Sequence, residues 1–286
     1  MSADEGLSLE VRDGVGVLTL RYAPFNLVGG PLLADLARMQ ERIVGDAAVR
    51  VVVLQSGIPG VFCLHGDALR VGDLVDLLQG GAGLEAVQAR MGPLHRIMGR
   101  FATMPQVVIA KIAGLCRGGG QELALACDMR FAATGVTRMG QPEVGMGIVP
   151  GGGGTTRLTR MIGRARALEV MVGSADLSAE DAERLGIINR ALPPDELDAY
   201  VDRLARHVAD QPAYAVAAVK RAVNAIIAPL DFGPEMEASA QVMAHPDTPG
   251  YVEGVLAAGM QRSLLDEWEM DALTAEGRRL ARDERA

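Results

Sequence analysis

Two spacings of apolar residues take turns along the chain. Val15–Leu20 (VGVLTL) predicts a strand, and Val49–Leu54 (VRVVVL) predicts another, whose nearly continuous β-branched run is that of a strand buried on both faces. Gln106–Ile112 and Met129–Ala132 predict two more strands. Between them, Pro31–Val44 and Leu84–Phe101 place apolar residues three and four apart, which predicts amphipathic helices. Gly57–Asp67 reads as a loop. The triplet Gly118–Gly120 opens a short helix ending near Cys127, and a second glycine run, Gly151–Gly154, is followed by helical segments. Strand and helix alternate up to Ala132, which predicts an α/β class with parallel pairing.

From Pro194 onward the spacing is helical, punctuated by Pro212, Pro229, Pro234 and Pro246. A boundary is therefore expected near residue 193, separating a mixed core, 1–193, from a helical region, 194–286. Ala215, Val216, Val219, Val223 and Ile226 form an aliphatic face that buries against the core or against a neighbour. The charged tail from about Thr274 reads as a solvated helix.

Composition narrows the function classes. Hydrophobic residues make up 49% of the 286, enough for a large core, and aromatics only 3%, so that core is aliphatic. The formal net charge of −8 argues against nucleic acid and anionic membranes as bulk partners. It leaves room for one anionic small ligand held at a helix N-terminus. Three cysteines, Cys63, Cys116 and Cys127, form no C-x-x-C pair, and Met1–Glu10 lacks the apolar stretch of a signal peptide. A cytoplasmic protein is expected. The four histidines show no metal spacing, and neither a Walker phosphate loop nor a G-x-S-x-G elbow is present.

Three segments carry the chemistry: Gly60–Asp67 (GVFCLHGD), Ile112–Asp128 (IAGLCRGGGQELALACD) and Gln141–Arg157 (QPEVGMGIVPGGGGTTR). In the second, a strand ends, glycines turn the chain and a helix begins. The first N–H groups of a helix lack partners, and glycine lets a ligand approach them, so the segment builds a small site for a phosphate or a developing oxyanion. Glu122 lies in the first turn, where it either complements the helix dipole or does acid–base work. Glu143 follows Pro142. Two such carboxylates around one water can act as acid and base if their pKa values are driven apart, and they can equally be surface or capping groups.

Taken in order, the segments resemble the crotonase (enoyl-CoA hydratase/isomerase) superfamily. Phe62–Asp67 is similar to its F-x-x-G-x-D segment, Gly118–Asp128 to G-G-G-x-E-L-A-x-x-C-D, and Gln141–Leu158 to Q-P-E followed by P-G-x-G-G-T-x-R-L. The similarity covers residues 10–260. It implies a spiral of ββα repeats with a C-terminal helical region that packs homotrimers or dimers of trimers. It implies an acyl-CoA substrate, with coenzyme A as part of that substrate and no further cofactor. The N–H groups of Gly66 and Gly119 would form an oxyanion hole, and Glu122 and Glu143 match the two glutamates of the hydratase branch. Phe25 and Leu27, flanking Asn26, and Cys63, Leu64, His65 and Asp67 would line the substrate. His65 stands where the family usually has a small residue, and it narrows the entrance, touches the ligand or has no chemical role. Arg117 either lines the pocket or makes a structural salt bridge, and Asp67 caps the next helix or meets the ligand. Isomerisation, another thioester lyase or hydrolase reaction, and a non-catalytic assembly subunit are the alternatives to hydration.

Overall fold

The computed structural model describes residues 6–227 and 232–283. Strands β1 (Leu7–Arg12) and β2 (Val15–Leu20) lead into helix α1 (Gly30–Gly45). Three units follow, each a strand of a large sheet, a strand of a small sheet, then helix. The first holds β3 (Val51–Ser56), β4 (Val61–Cys63), α2 (Ala68–Gln79) and α3 (Leu84–Thr103). The second holds β5 (Val107–Ile112), β6 (Leu115–Arg117) and α4 (Gly119–Ala126). The third holds β7 (Met129–Ala133), β8 (Arg138–Gly140), a 3-10 turn (Glu143–Met146) and α5 (Gly154–Gly173), the last bent at Gly163. β9 (Leu177–Ser178), α6 (Ala179–Leu185) and β10 (Arg190–Leu192) complete the sheets, in the orders β1-β2-β3-β5-β7-β10 and β4-β6-β8-β9. Pairing is parallel except β1–β2 and β8–β9. This is the expected repetition of ββα units.

β3 shows why its sequence does not alternate. Val52 and Leu54 enter a core shared with α1, α3 and α5. Val51 and Val53 face the opposite side, against Leu197, Val201 and Ala205 of α7 (Pro194–Ala209). Both faces are covered over Val51–Leu54, so those four positions are all apolar. The described residues beyond α7 form α8 (Ala213–Ile227), α9 (Gly233–Met243), α10 (Thr248–Ala258), α11 (Leu264–Trp268) and α12 (Met270–Asp283). Lys220 of α8 is buried and donates to Asp128 Oδ2 and to the carbonyls of Phe101 and Gln106, each at 2.7 Å. Val219, Val223 and Ile226 of the same helix are exposed in the single chain.

The tail departs from the solvated helix expected of it. α12 buries Met270, Leu273, Gly277 and Ala281 against α10. Gly254 and Gly277 let the two backbones touch: a Cβ on Gly254 would lie 2.3 Å from the Gly277 carbonyl oxygen. The sequence reading also lacked α2, the edge strands β1 and β10, and the short strands β4, β6, β8 and β9 of the small sheet. β4 is three residues long, inside what reads as a loop, and β1 is a half-exposed edge strand with little periodicity. No helix among the described residues is long and apolar enough to cross a membrane.

α4 crosses β4 at the closest approach that bears on the site. A Cβ on Gly120 would sit 1.8 Å from the Cys63 carbonyl oxygen, and backbone cannot yield there. Gly120→Ala is expected to cost about 3 kcal/mol or more of unfolding free energy. Urea unfolding measures it, and an unchanged midpoint would contradict the packing.

Candidate active site

A cavity of about 510 Å³ opens between α1, α3, the 3-10 turn, α9 and α10. Its wall is chiefly apolar, with Leu33, Leu74, Met91, Met146, Met243 and Met260 among its residues. Gly66, Gly119, Glu122 and Glu143 all lie on that wall.

The two amides are free by construction. Val28 pairs in parallel with Gly66 through an isolated bridge: Val28 N–H donates to the His65 carbonyl at 3.0 Å, and Asp67 N–H to the Val28 carbonyl at 3.4 Å. This uses the carbonyl before Gly66 and the amide after it, so Gly66's own N–H points the other way. Gly119 is the first residue of α4, where helical N–H groups have no intrahelical partner. Among the described residues neither N–H has a protein acceptor. They are close neighbours, since a Cβ on Gly119 would lie 3.0 Å from Gly66 N. Gly118 turns the chain from β6 into α4 at φ 51°, ψ −127°, and a Cβ there would lie 2.7 Å from Glu143 Oε1. Only glycine fits that point.

Glu122 Oε1 accepts from Gly152 N–H at 2.7 Å and Gly154 N–H at 2.8 Å, the loop that opens α5. Burial pushes its pKa up, the Glu235 carboxylate adds to the push, and the two N–H groups and Arg157 pull back, leaving it at about 7. Glu143 is held well above the ordinary carboxylate value by burial first and then by the charge of Glu122. With its amide nitrogen turned toward Glu143, Gln141 donates to both carboxylate oxygens at 3.2 and 3.0 Å. The pair is thus two buried acids, both with raised pKa values, beside two unengaged amides.

The other residues singled out by sequence divide. His65 and Asp67 lie on the cavity wall. The His65 ring is 2% exposed and engaged on both nitrogens, Nε2 with Glu267 at 3.0 Å and Nδ1 with Gln261 at 3.2 Å. Asp67 immediately precedes α2, and its carbonyl accepts from Val71 N–H at 3.2 Å. Phe25 and Leu64 instead pack with Val61 and Leu115 in a separate core, with Leu27 against it, and Cys63 Sγ donates to the Asn26 carbonyl at 2.8 Å. These four are not on the cavity wall: Phe25, Leu27 and Leu64 pack with Leu264 and Trp268 of α11, and Cys63 enters the main core. Arg117 is fully buried and forks onto Asp176, with Nε 2.7 Å from Oδ1, and Nη1 donates to the Glu267 carbonyl: a structural bridge. Burial raises the thiol pKa of Cys63, Cys116 and Cys127, all free.

Sequence reasoning missed Glu235. It is buried at the start of α9 and accepts from Gly153 N–H at 2.6 Å, Thr156 N–H at 2.9 Å and Thr156 Oγ1 at 3.0 Å. His95 Nε2 lies 3.8 Å away and donates to the Gly151 carbonyl at 2.6 Å, its ring stacked on Phe232. A glutamate after Gly-Pro in a helical stretch looks like any first-turn acid, so no signal in the chain separates it. Glu235→Gln removes a negative charge beside Glu122, and so is expected to lower the pKa of Glu122. The acidic limb of kcat against pH would move down by about one unit. An unmoved limb would show that Glu122 does not set it.

The sequence model of the enoyl-CoA hydratase/isomerase family matches residues 10–251. The rat mitochondrial methylglutaconyl-CoA hydratase is 34% identical over 224 residues, 75% of this chain and 67% of that protein. The cucumber glyoxysomal fatty acid beta-oxidation multifunctional protein MFP-a is 35% identical over 185 residues, 65% of this chain, and the chain spans 25% of that protein's length. A Streptomyces avermitilis crystal structure, provisionally named enoyl-CoA hydratase, superposes with a TM-score of 0.82 at 35% identity, covering 96% of this chain and 98% of that one. The matched region contains the free amides, the glycine-opened α4 and both buried glutamates, and this chain belongs to the enoyl-CoA hydratase/isomerase family.

Proposed function

We propose that this protein is an enoyl-CoA hydratase, adding water to a trans-2-enoyl-CoA to give a 3-hydroxyacyl-CoA. The observation that carries the reading is the arrangement of two unengaged amides and two buried glutamates, both with pKa values pushed up by burial, on one wall. The thioester oxygen would accept from Gly66 and Gly119 N–H. Glu122, with its pKa near 7, takes a proton from a water as the water oxygen bonds to C3. The C2=C3 electrons move onto the thioester as an enolate, whose charge the two amides hold. Each amide contributes about 3–4 kcal/mol to that stabilisation. Glu143, kept protonated by its raised pKa, delivers its proton to C2. One H and one OH have then added across the double bond. Glu122 is left protonated and Glu143 ionised, and exchange with solvent restores them. No cofactor beyond the substrate's own coenzyme A enters.

The apolar wall supports an apolar acyl group. Among the described residues Arg90 is the cation on that wall, and it pairs with Asp73 at 3.5 Å, so the described lining favours hydrocarbon over an acyl group with a second carboxylate. The exposed row on α8 supports assembly as a homotrimer or dimer of trimers, and the three free buried thiols support a reducing compartment, the cytoplasm.

Pure protein mixed with crotonyl-CoA and with longer enoyl-CoAs should abolish the enoyl-thioester absorbance and yield a product heavier by one water. A product of unchanged mass would make it an isomerase instead. No change with short, long or branched substrates would end the reading.

A further inference from the structure

The segment between α10 and α12 reaches back to the wall that carries Gly66. Gln261 sits at φ 62°, a left-handed conformation that costs a glutamine free energy and persists only where its surroundings impose it. Its N–H donates to Glu267 Oε1 at 2.6 Å. The other Glu267 oxygen meets His65 Nε2 at 3.0 Å. The Gln261 side-chain amide then donates twice, to the Gly66 carbonyl at 3.0 Å and to His65 Nδ1 at 3.2 Å. One neutral imidazole, with its hydrogen on Nε2, satisfies every contact: Nε2–H donates to Glu267 and Nδ1 accepts from Gln261. Glu267 is fully buried, and Arg117 Nη1 anchors its carbonyl from behind. Gly66 needs such a hold. β4 ends at Cys63, and the tie of this stretch to Val28 is one isolated bridge.

We propose that Gln261 is a positioning residue for the oxyanion hole, fixing the direction of Gly66 N–H by holding the Gly66 carbonyl directly and the preceding peptide through His65, while Glu267 holds Gln261 in its strained conformation. The inference rests on Gly66 being a donor to the thioester carbonyl. A donor displaced by about 1 Å loses much of its effect, on the order of a hundredfold in rate.

The test uses Gln261→Ala and Gln261→Glu in the full chain. The second keeps size and packing but points an acceptor at the Gly66 carbonyl. Butanoyl-CoA labelled with 13C at the carbonyl binds without being hydrated, and its C=O stretch reports the hole directly. In the unaltered protein the band should move to lower wavenumber on binding. Both variants should lose at least half of that shift, and kcat should fall about tenfold or more with KM changed less than about threefold. An undiminished shift and kcat in Gln261→Glu would reduce Gln261 to packing and overturn the proposal alone. A band that does not move in the unaltered protein would remove Gly66 from the hole, and the hydratase reading with it.

Discussion

Glu122→Gln is expected to lower kcat by about 10²–10⁴-fold while leaving the protein folded and, above pH 7, more resistant to unfolding. The amide oxygen of the new side chain still accepts from Gly152 and Gly154, so the loop keeps its anchor. What goes is a base near neutrality. The stability gain follows from the proton balance. An unfolded glutamate releases its proton near the ordinary value of 4.5, while buried Glu122 keeps it to about 7. Across that window the folded state binds more protons, so stability falls as pH rises, by about 3 kcal/mol in all. Glutamine does not titrate and escapes the loss. The difference in Tm, variant minus parent, should therefore grow between pH 4.5 and pH 8. A pH-independent difference, or full turnover, would remove Glu122 from its role. Glu143→Gln should lose turnover on the same scale, because its proton is the one delivered to C2.

Gly119→Ala should cost about 10²-fold in kcat and lower Tm, because the backbone of His65 and Gly66 must give way to the methyl group. The N–H stays, but the methyl group would lie 3.0 Å from Gly66 N and 3.2 Å from Val28 Cβ, over the partner donor. Parent-like turnover with a saturating enoyl-CoA would place the oxyanion elsewhere.

The line between what the chain announces and what it hides has a physical cause. The glycine-opened helix is legible because local backbone geometry demands glycine: Gly118 at φ 51° and Gly120 against the Cys63 carbonyl admit no side chain. Glu122 and Glu143 are legible only through the family resemblance, because spacing alone does not separate them from the other acids among the 36 in the chain. The long strands and α1 and α3 are legible because burial imposes a period on them. Glu235, Gln261 and Glu267 are not, because each acts across more than eighty residues of chain and sits in a helical stretch where polar residues are ordinary. Phe25, Cys63 and Leu64 fall on the right segment but the wrong side of it. The bridge between Val28 and Gly66 leaves the amide facing the cavity, while Phe25 and Leu64 enter the separate core and Cys63 the main one.

A crystal structure with butanoyl-CoA bound tests the central claim most directly. The thioester oxygen should lie about 2.7–3.1 Å from both Gly66 N and Gly119 N, with C2 and C3 between the Glu122 and Glu143 carboxyls. A thioester oxygen beyond reach of either amide, or an acyl chain that bypasses the two glutamates, would contradict it.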